Sequence, residues 1–306
     1  MTEIAQGIHL IDTELGGKKG LTSAYLVEGA QPALIDPGAE TSADLLIADL
    51  HRRGLRADDL AWIVLTHIHL DHCGGTGALA AAFPRAQVIV HERGARHLAE
   101  PERLVAASHD VYAHTAPIYG GLSATPADRI TVAPDGFRVD LGSGGVLEMI
   151  ATPGHARHHM SVLHDRTGAL IIGDAAGTGL PDSNLYVNLP PADVDIEGGR
   201  DSLRRLRERA PELITLSHFG PTADPEITLA IADEGFAQAG EAARTGYARG
   251  GRAGIAEELE RVLPFAATIS HAPAVELWQW LGWDTNNVLG LEIWAQRQAE
   301  NGQTTQ

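Results

Sequence analysis

The sequence contains a single cysteine, Cys73, among its 306 residues, so no disulfide can form within the chain. A chain without disulfides suits a reducing compartment. Long apolar runs are also missing, since no stretch approaches the roughly 20 residues that span a bilayer. The N-terminal segment MTEIAQGIHL has no basic start followed by an apolar core, as a signal peptide would. These absences predict a cytoplasmic protein.

Positive charge is scarce as well. Lys and Arg together number 23 against 40 Asp and Glu, which gives a formal net charge of −17. A surface this acidic repels the phosphates of nucleic acids and anionic lipids. We therefore expect a small molecule as the substrate, with neither nucleic acid nor membrane as a partner. The sequence leaves homo-oligomerisation open.

Short apolar runs alternate with segments of helical spacing near the N-terminus. In chain order, these strands and helices are predicted at 33–35, 42–53, 62–65, 76–84 and 87–90. This alternation predicts a layered α/β domain, which we assign to residues 1–224. Residues 225–306 carry helical patterns and are expected to pack on that domain.

Residues at about 92–130 interrupt the alternation and are predicted to form a helical insertion. They include Tyr112 and Tyr119, which we expect to line the mouth of a pocket. The alternative is a surface excursion that touches no site.

Histidine, in contrast, is abundant, with 15 residues. Many of them stand directly after predicted strands. Four predicted strands, at 62–65, 146–150, 169–172 and 213–216, are followed by residues of metal-ligand type, which are His67, His69, Asp71, His72, His155, Asp174 and His218. The C-terminal ends of strands in a layered sheet gather at one edge, so we expect these side chains to form one site.

The number of these residues predicts two metal ions, because a tetrahedral ion takes only four ligands. Imidazole and carboxylate ligands suit zinc, iron and manganese. We expect two zinc ions, with iron and manganese as the alternatives. Two ions about 3.5–4 Å apart can hold a bridging hydroxide that attacks an electrophilic substrate.

The segments LIDPG, THIHLDH, TPGH, IIGD and LSHFG, in this order, resemble the motifs of the metallo-β-lactamase fold superfamily over about residues 8–220. The resemblance implies a four-layer αββα sandwich, here with a helical insertion and a helical C-terminal tail. The implied ligands are His67, His69 and His155 for one metal, Asp71, His72 and His218 for the other, and Asp174 as the bridge. Asp36 of LIDPG would support a ligand without touching metal.

The resemblance also implies a metal-dependent hydrolase of a small ester, lactone, thioester or phosphoester. We expect Asp71 or the released water to manage the protons of the leaving group. His158, which precedes His159, is a further candidate for substrate contact. Asp174 stands where some antibiotic-degrading members have cysteine, and Gly177 stands where the quorum-quenching lactonases usually have tyrosine. The second departure counts against a lactone.

Two other functions stay open from the sequence. A mononuclear iron persulfide dioxygenase, which is similar in fold, would bind iron through His67, His155 and Asp174. A non-catalytic metal-binding protein would use the same residues without turnover.

Overall fold

The computed structural model of the chain describes residues 1–180, 183–264 and 272–304. The chain divides into two compact units, each assembled from several segments. The first unit comprises Met1–Ala151, His158–Gly173 and Ala210–Ala223, and the second comprises Thr152–Arg157, Asp174–Arg209 and Asp224–Gln306. Both β-sheets belong to the first unit.

The first sheet has seven strands that lie side by side in chain order. They are β1 (Thr2–Ala5), β2 (Ile8–Asp12), β3 (Ser23–Val27), β4 (Ala33–Ile35), β5 (Trp62–Val64), β6 (Gln87–His91) and β7 (Ile130–Ala133). Strands β1 to β4 pair antiparallel, whereas β4 to β7 pair parallel. The parallel strands β4 and β5 therefore end at the same edge, where Asp36 and the segment 65–69 begin.

The second sheet has six strands in the order β13-β12-β11-β10-β9-β8. They are β8 (Phe137–Asp140), β9 (Val146–Ala151), β10 (Met160–His164), β11 (Ala169–Gly173), β12 (Leu213–Leu216) and β13 (Gly220–Pro221). Only β11 and β12 pair parallel. Ser217 and His218 follow directly after β12, as the sequence predicted for His218.

The apolar faces of the two sheets share one core. Ile35 and Val64 of the first sheet and Met149 and Val162 of the second are fully buried in it. Burying such a side chain stabilises the fold by about 1.5–3 kcal/mol. Tyr25 crosses this core: its hydroxyl lies 2.5 Å from the carbonyl oxygen of Leu216, to which it donates. Burial raises the pKa of Tyr25, so the phenol stays protonated.

Six helices belong to the first unit. They are α1 (Ala43–Arg52), α2 (Leu70–Cys73), α3 (Thr76–Ala82), α4 (Glu92–Ala99), α5 (Glu102–Val111) and α6 (Ala116–Tyr119). The last three form the helical insertion that the sequence predicted. Glu40 holds the end of this insertion, because its carboxylate accepts from the Gly121 N–H at 2.6 Å and the Ser123 hydroxyl at 3.1 Å.

The second unit is mainly helical, and it confirms the predicted helical tail. Its helices are α7 (Ile196–Glu208), α8 (Pro225–Val262), α9 (Ala272–Leu281) and α10 (Trp283–Thr304). Asp195 and Asp224 cap α7 and α8 by accepting from backbone N–H groups at 3.0 Å. Helix α8 breaks at Gly251, where φ is +59°. No helix in the described part of the chain is long and apolar enough to cross a membrane.

Candidate metal centre

Asp36 connects several residues of the candidate site in the first unit through hydrogen bonds. It follows β4 with φ at +51°, a left-handed conformation that aspartate tolerates better than most residues. Its Oδ1 accepts from the Thr66 N–H at 2.8 Å, and its Oδ2 accepts from the hydroxyls of Thr66 at 2.7 Å and Ser217 at 3.0 Å. Oδ2 also lies 3.1 Å from Nδ1 of His72. Asp36 thus joins the segments after β4, β5 and β12, and its role as a support for a metal ligand stays a prediction.

Three candidate metal ligands lie close to one another in the first unit. Asp71, His72 and His218 each offer an atom within 4.8 Å of the others. Oδ2 of Asp71 lies 3.7 Å from Nε2 of His72 and 3.4 Å from Nε2 of His218. His72 and His218 are buried, whereas the Asp71 side chain is 14% exposed. The short helix α2 brings Asp71 and His72 together, and β12 delivers His218.

Hydrogen bonds fix the tautomers of the two histidines. Nδ1 of His218 lies 2.8 Å from the carbonyl oxygen of Leu21, which can only accept, so Nδ1 donates. Nδ1 of His72 likewise donates to the carboxylate of Asp36. In the neutral imidazoles this leaves the lone pair of each ring on Nε2, the atom that lies 3.7 Å (His72) or 3.4 Å (His218) from Oδ2 of Asp71.

This donor set fits a cation. Two nitrogen lone pairs and a carboxylate oxygen converge in a largely buried space, which is unfavourable unless a positive charge compensates them. Imidazole held by a carboxylate or a backbone carbonyl is the common arrangement of metal-binding histidine in proteins.

The other predicted histidines of the first unit lie beside this group. Nε2 of His67 is 3.1 Å from Nδ1 of His69, and the rings of His67 and His72 are 4.0 Å apart. His158 is half-buried, with its ring 6.1 Å from that of His67 and 5.7 Å from that of His69. His159, which the sequence did not single out as a site residue, is fully buried 5.0 Å from the His67 ring.

The second unit contains the remaining two candidates. Nε2 of His155 lies 3.6 Å from Oδ2 of Asp174, and both side chains are buried. Asn188 contacts both of them. Its carbonyl oxygen lies 2.7 Å from Nδ1 of His155, and its side-chain Nδ2 donates to Oδ2 of Asp174 at 2.8 Å. His155 is therefore another imidazole that donates through Nδ1 and has its Nε2 close to a carboxylate.

Cys73 is no nucleophile in this structure. Its thiol is fully buried, and burial, with the charges of Asp71 and Asp36, raises the pKa of Cys73 well above its usual value. A protonated buried thiol behaves as a small apolar side chain.

The two tyrosines of the insertion pack on each other, with ring centroids 5.6 Å apart. Tyr119 is buried and Tyr112 is half-buried. Their contact with substrate stays a prediction.

The family comparison agrees with this geometry. A family model described as the metallo-beta-lactamase superfamily matches residues 17–218. The chain belongs to this superfamily.

Individual members with similar sequences extend the comparison. The metallo-beta-lactamase fold-containing protein ST1585 of Sulfurisphaera tokodaii is 30% identical over 220 residues, which cover 70% of this chain and 79% of that protein. Its crystal structure aligns with a TM-score of 0.63 over 76% of this chain and 86% of that chain. A probable metallo-hydrolase of Methanocaldococcus jannaschii, MJ0888, is 29% identical over 184 residues, 59% of this chain and 78% of that protein.

A superfamily member with a named substrate also matches. An N-acyl homoserine lactonase of Bacillus thuringiensis is 26% identical over 244 residues, which cover 76% of this chain and 84% of that protein. Together with the structural match, these similarities confirm the predicted metallo-β-lactamase fold with its two sheets and helices. They also show that similar proteins include one named as a probable metallo-hydrolase and one named as a lactonase.

Two residues that contact candidate ligands of this superfamily member, Leu21 and Asn188, stand in no sequence pattern that would have indicated such a contact. Leu21 acts through its backbone carbonyl, and Asn188 stands 14 residues after Asp174 and 33 residues after His155 in the chain. Ser217 could have been noticed because it directly precedes His218. Thr66 could have been noticed in the same way, beside His67.

Proposed function

We propose that this protein is a dinuclear metal-dependent hydrolase of a small ester, lactone, thioester or phosphoester. The observation that carries the proposal is the group of Asp71, His72 and His218, in which two histidines present their Nε2 lone pairs to one carboxylate.

The ligand assignment stays the one that the motifs imply. His67, His69 and His155 would hold one ion, Asp71, His72 and His218 the other, and Asp174 would bridge them. Two divalent ions held there, with zinc expected first, would supply a Lewis acid for the substrate and would lower the pKa of a coordinated water toward about 7.

The chain's own side chains are given the remaining tasks. Asp71 reaches solvent more than His72 or His218 do, so its carboxylate is assigned the proton that passes to the leaving group. His158 is assigned a contact with the substrate, because it is half-buried beside His67 and His69. The net charge of −17 favours a small neutral or positively charged substrate over a polyanion.

Among the four substrate classes, the similarity to a lactonase supports carboxylic esters and lactones. Gly177 counts against a homoserine lactone as the substrate. Its φ is +102°, and a Cβ atom at this position would lie 2.2 Å from the carbonyl oxygen of Tyr186. The tyrosine that the quorum-quenching branch carries at this point cannot be accommodated. We therefore rank open-chain esters and thioesters before homoserine lactones.

A substrate panel combined with metal analysis tests the proposal. Activated esters, lactones, thioesters and phosphotriesters are offered to metal-loaded protein, to chelated protein and to a His218→Ala variant. We expect hydrolysis of at least one class that disappears with chelation and falls strongly in the variant. His51, which is exposed outside the site, provides the matched control in His51→Ala.

The alternative with a specific test is the iron persulfide dioxygenase. Oxygen uptake on glutathione persulfide, with one iron per chain and no hydrolysis of the panel, would replace the hydrolase. The Asp71, His72 and His218 group favours the hydrolase, because a single iron held by His67, His155 and Asp174 would not need these three residues.

A further inference from the structure

A chain of hydrogen bonds in the second unit runs from the C-terminal helix α10 to two candidate metal ligands. It starts at Asn287, whose side chain is 1% exposed. The Oδ1 of Asn287 accepts from the Leu189 N–H at 2.7 Å, and its Nδ2 donates to the Val187 carbonyl oxygen at 2.8 Å. A single side-chain amide therefore holds the backbone on both sides of Asn188.

Asn188, held in this way, faces both ligand candidates. Its carbonyl oxygen accepts from Nδ1 of His155 at 2.7 Å, and its side chain donates to Asp174 at 2.8 Å. Asn188 thus holds one atom of the imidazole through its backbone and one atom of the carboxylate through its side chain. A rotation of that peptide would move both together.

The packing around this segment shows that α10 is fitted to it. A Cβ atom on Gly290, one turn after Asn287, would lie 2.0 Å from the carbonyl oxygen of Leu189. Only glycine allows this approach of helix and segment. On the other side, Thr178 and Tyr186 exchange two backbone hydrogen bonds of 2.8 and 2.9 Å, which fix the loop before Asn188.

We propose that Asn287 is a positioning residue for the metal site: through the backbone of 187–189 it sets Asn188, and through Asn188 it orients His155 and Asp174. This inference rests on the proposed function only in taking those two side chains as metal ligands. It gives the C-terminal helix a task at the site that lies outside the family's shared motifs. Loss of a group that supports a ligand weakens metal binding by about 10–100-fold.

Cobalt binding tests the proposal without relying on turnover. Chelated protein is titrated with Co²⁺, and the d–d absorption reports affinity and ligand geometry for each ion. We expect Asn188→Ala to weaken the affected site by about 10–100-fold, as for other groups that hold a ligand, and Asn287→Ala to weaken it by about 10-fold. Asn287→Asp, which keeps an acceptor for Leu189 but loses the donor to Val187, should lie between Asn287→Ala and wild type.

Two comparisons separate positioning from general damage to the helix. Asn286→Ala removes a neighbouring asparagine of α10 that is also buried, 7% exposed, and should leave the Co²⁺ affinity and spectrum unchanged. The double variant Asn188→Ala/Asn287→Ala should weaken binding by less than the product of the single effects, because Asn188→Ala already removes one of the two contacts through which Asn287 acts, the side-chain contact to Asp174. The unfolding temperature of each chelated variant identifies simple loss of fold, and Asn287→Asp retains the test where Asn287→Ala fails to fold.

The inference is overturned if Asn287→Ala and Asn287→Asp bind Co²⁺ as wild type does, if Asn286→Ala has the same effect, or if the double variant is multiplicative. The hydrolase proposal is tested by a separate measurement, the substrate panel. A wild-type protein that binds Co²⁺ and hydrolyses nothing in the panel removes the hydrolase but still supports positioning through the titrations.

Discussion

Oδ2 of Asp36 lies 3.1 Å from Nδ1 of His72, and both side chains are 1% exposed. The same oxygen accepts from Thr66 and Ser217. An ionised carboxylate can only accept, so this arrangement holds the proton of His72 on Nδ1 and its lone pair on Nε2. The pair would therefore prepare His72 as a metal ligand.

Asp36→Asn should disturb this preparation while keeping the shape of the side chain. An amide group facing four donors leaves a buried group unsatisfied, which costs about 1–3 kcal/mol of stability, and it favours the opposite tautomer of His72. We expect zinc affinity at one of the two sites to fall by about 10–100-fold, measured by competition with a chromophoric chelator. Asp44→Asn removes the same charge from the exposed face of α1 and should bind zinc as wild type does. Unchanged affinity in Asp36→Asn would contradict the role given to this contact.

Glu40 provides a test of the insertion, since its carboxylate holds Gly121 and Ser123. Glu40→Ala should release the end of the insertion, so that limited proteolysis cuts between residues 112 and 126 faster than in wild type. If Tyr112 and Tyr119 line the pocket, KM should change by at least about threefold with metal content unchanged. The control is Glu102→Ala, at an exposed position of α5. Faster proteolysis with unaltered KM across the ester panel would show that the insertion does not touch the substrate.

The ion pair between α7 and α8 gives a prediction about pH. Nε and Nη2 of Arg200 donate to the two carboxylate oxygens of Asp233 at 2.7 and 3.1 Å, and these bonds lower the pKa of Asp233. A lowered pKa in the folded state contributes stability above the unfolded value of about 3.9, and that contribution is lost as pH falls through the folded pKa. Because both groups are more than a third exposed, we expect Asp233→Asn to cost at most about 1 kcal/mol at pH 7.

Urea unfolding of chelated wild type and Asp233→Asn measures this difference at pH 7 and at successively lower pH. The difference should shrink only below about pH 4, and added salt should reduce it at pH 7. A difference that grows as pH falls would mean that Asp233 stabilises the fold through something other than its charge.

Much of this fold could be predicted because its strands carry their own signals. The apolar run 33–35 became β4, the run 62–65 became β5 with one residue to spare, and the helical spacing of 42–53 became α1 within one residue at each end. Strands β1 and β2 were missed. TEIA and IHLID are short and mix polar with apolar residues, so no period stands out in them.

The candidate site, like the fold, could be predicted from the sequence only in part. His72 and His218 could be named because ligand-type residues after apolar runs are a local pattern. Leu21, Asn188 and Asn287 could not, because what they contribute depends on contacts between distant parts of the chain. A backbone carbonyl such as that of Leu21 is available at every residue, and only the fold determines which one meets a histidine.

The number of metal ions is the measurement on which the proposed mechanism depends most directly. We expect about two ions per chain in protein purified with metal supplied and no chelator, since the candidate ligands are too many for one tetrahedral ion. His218 belongs to the group with Asp71 and His72, so His218→Ala should lose one ion selectively. Asp174→Ala should lose metal only in part, because the assignment leaves three histidines for the other ion. Hydrolysis should fall by at least about 10²-fold in both variants, as the reacting groups lose their positions.

His51→Ala removes an exposed histidine and should keep both ions and full activity. Elemental analysis decides the matter: wild-type protein that saturates at one ion, with His218→Ala unchanged in metal and in rate, would rule out the dinuclear hydrolase and favour the mononuclear iron dioxygenase.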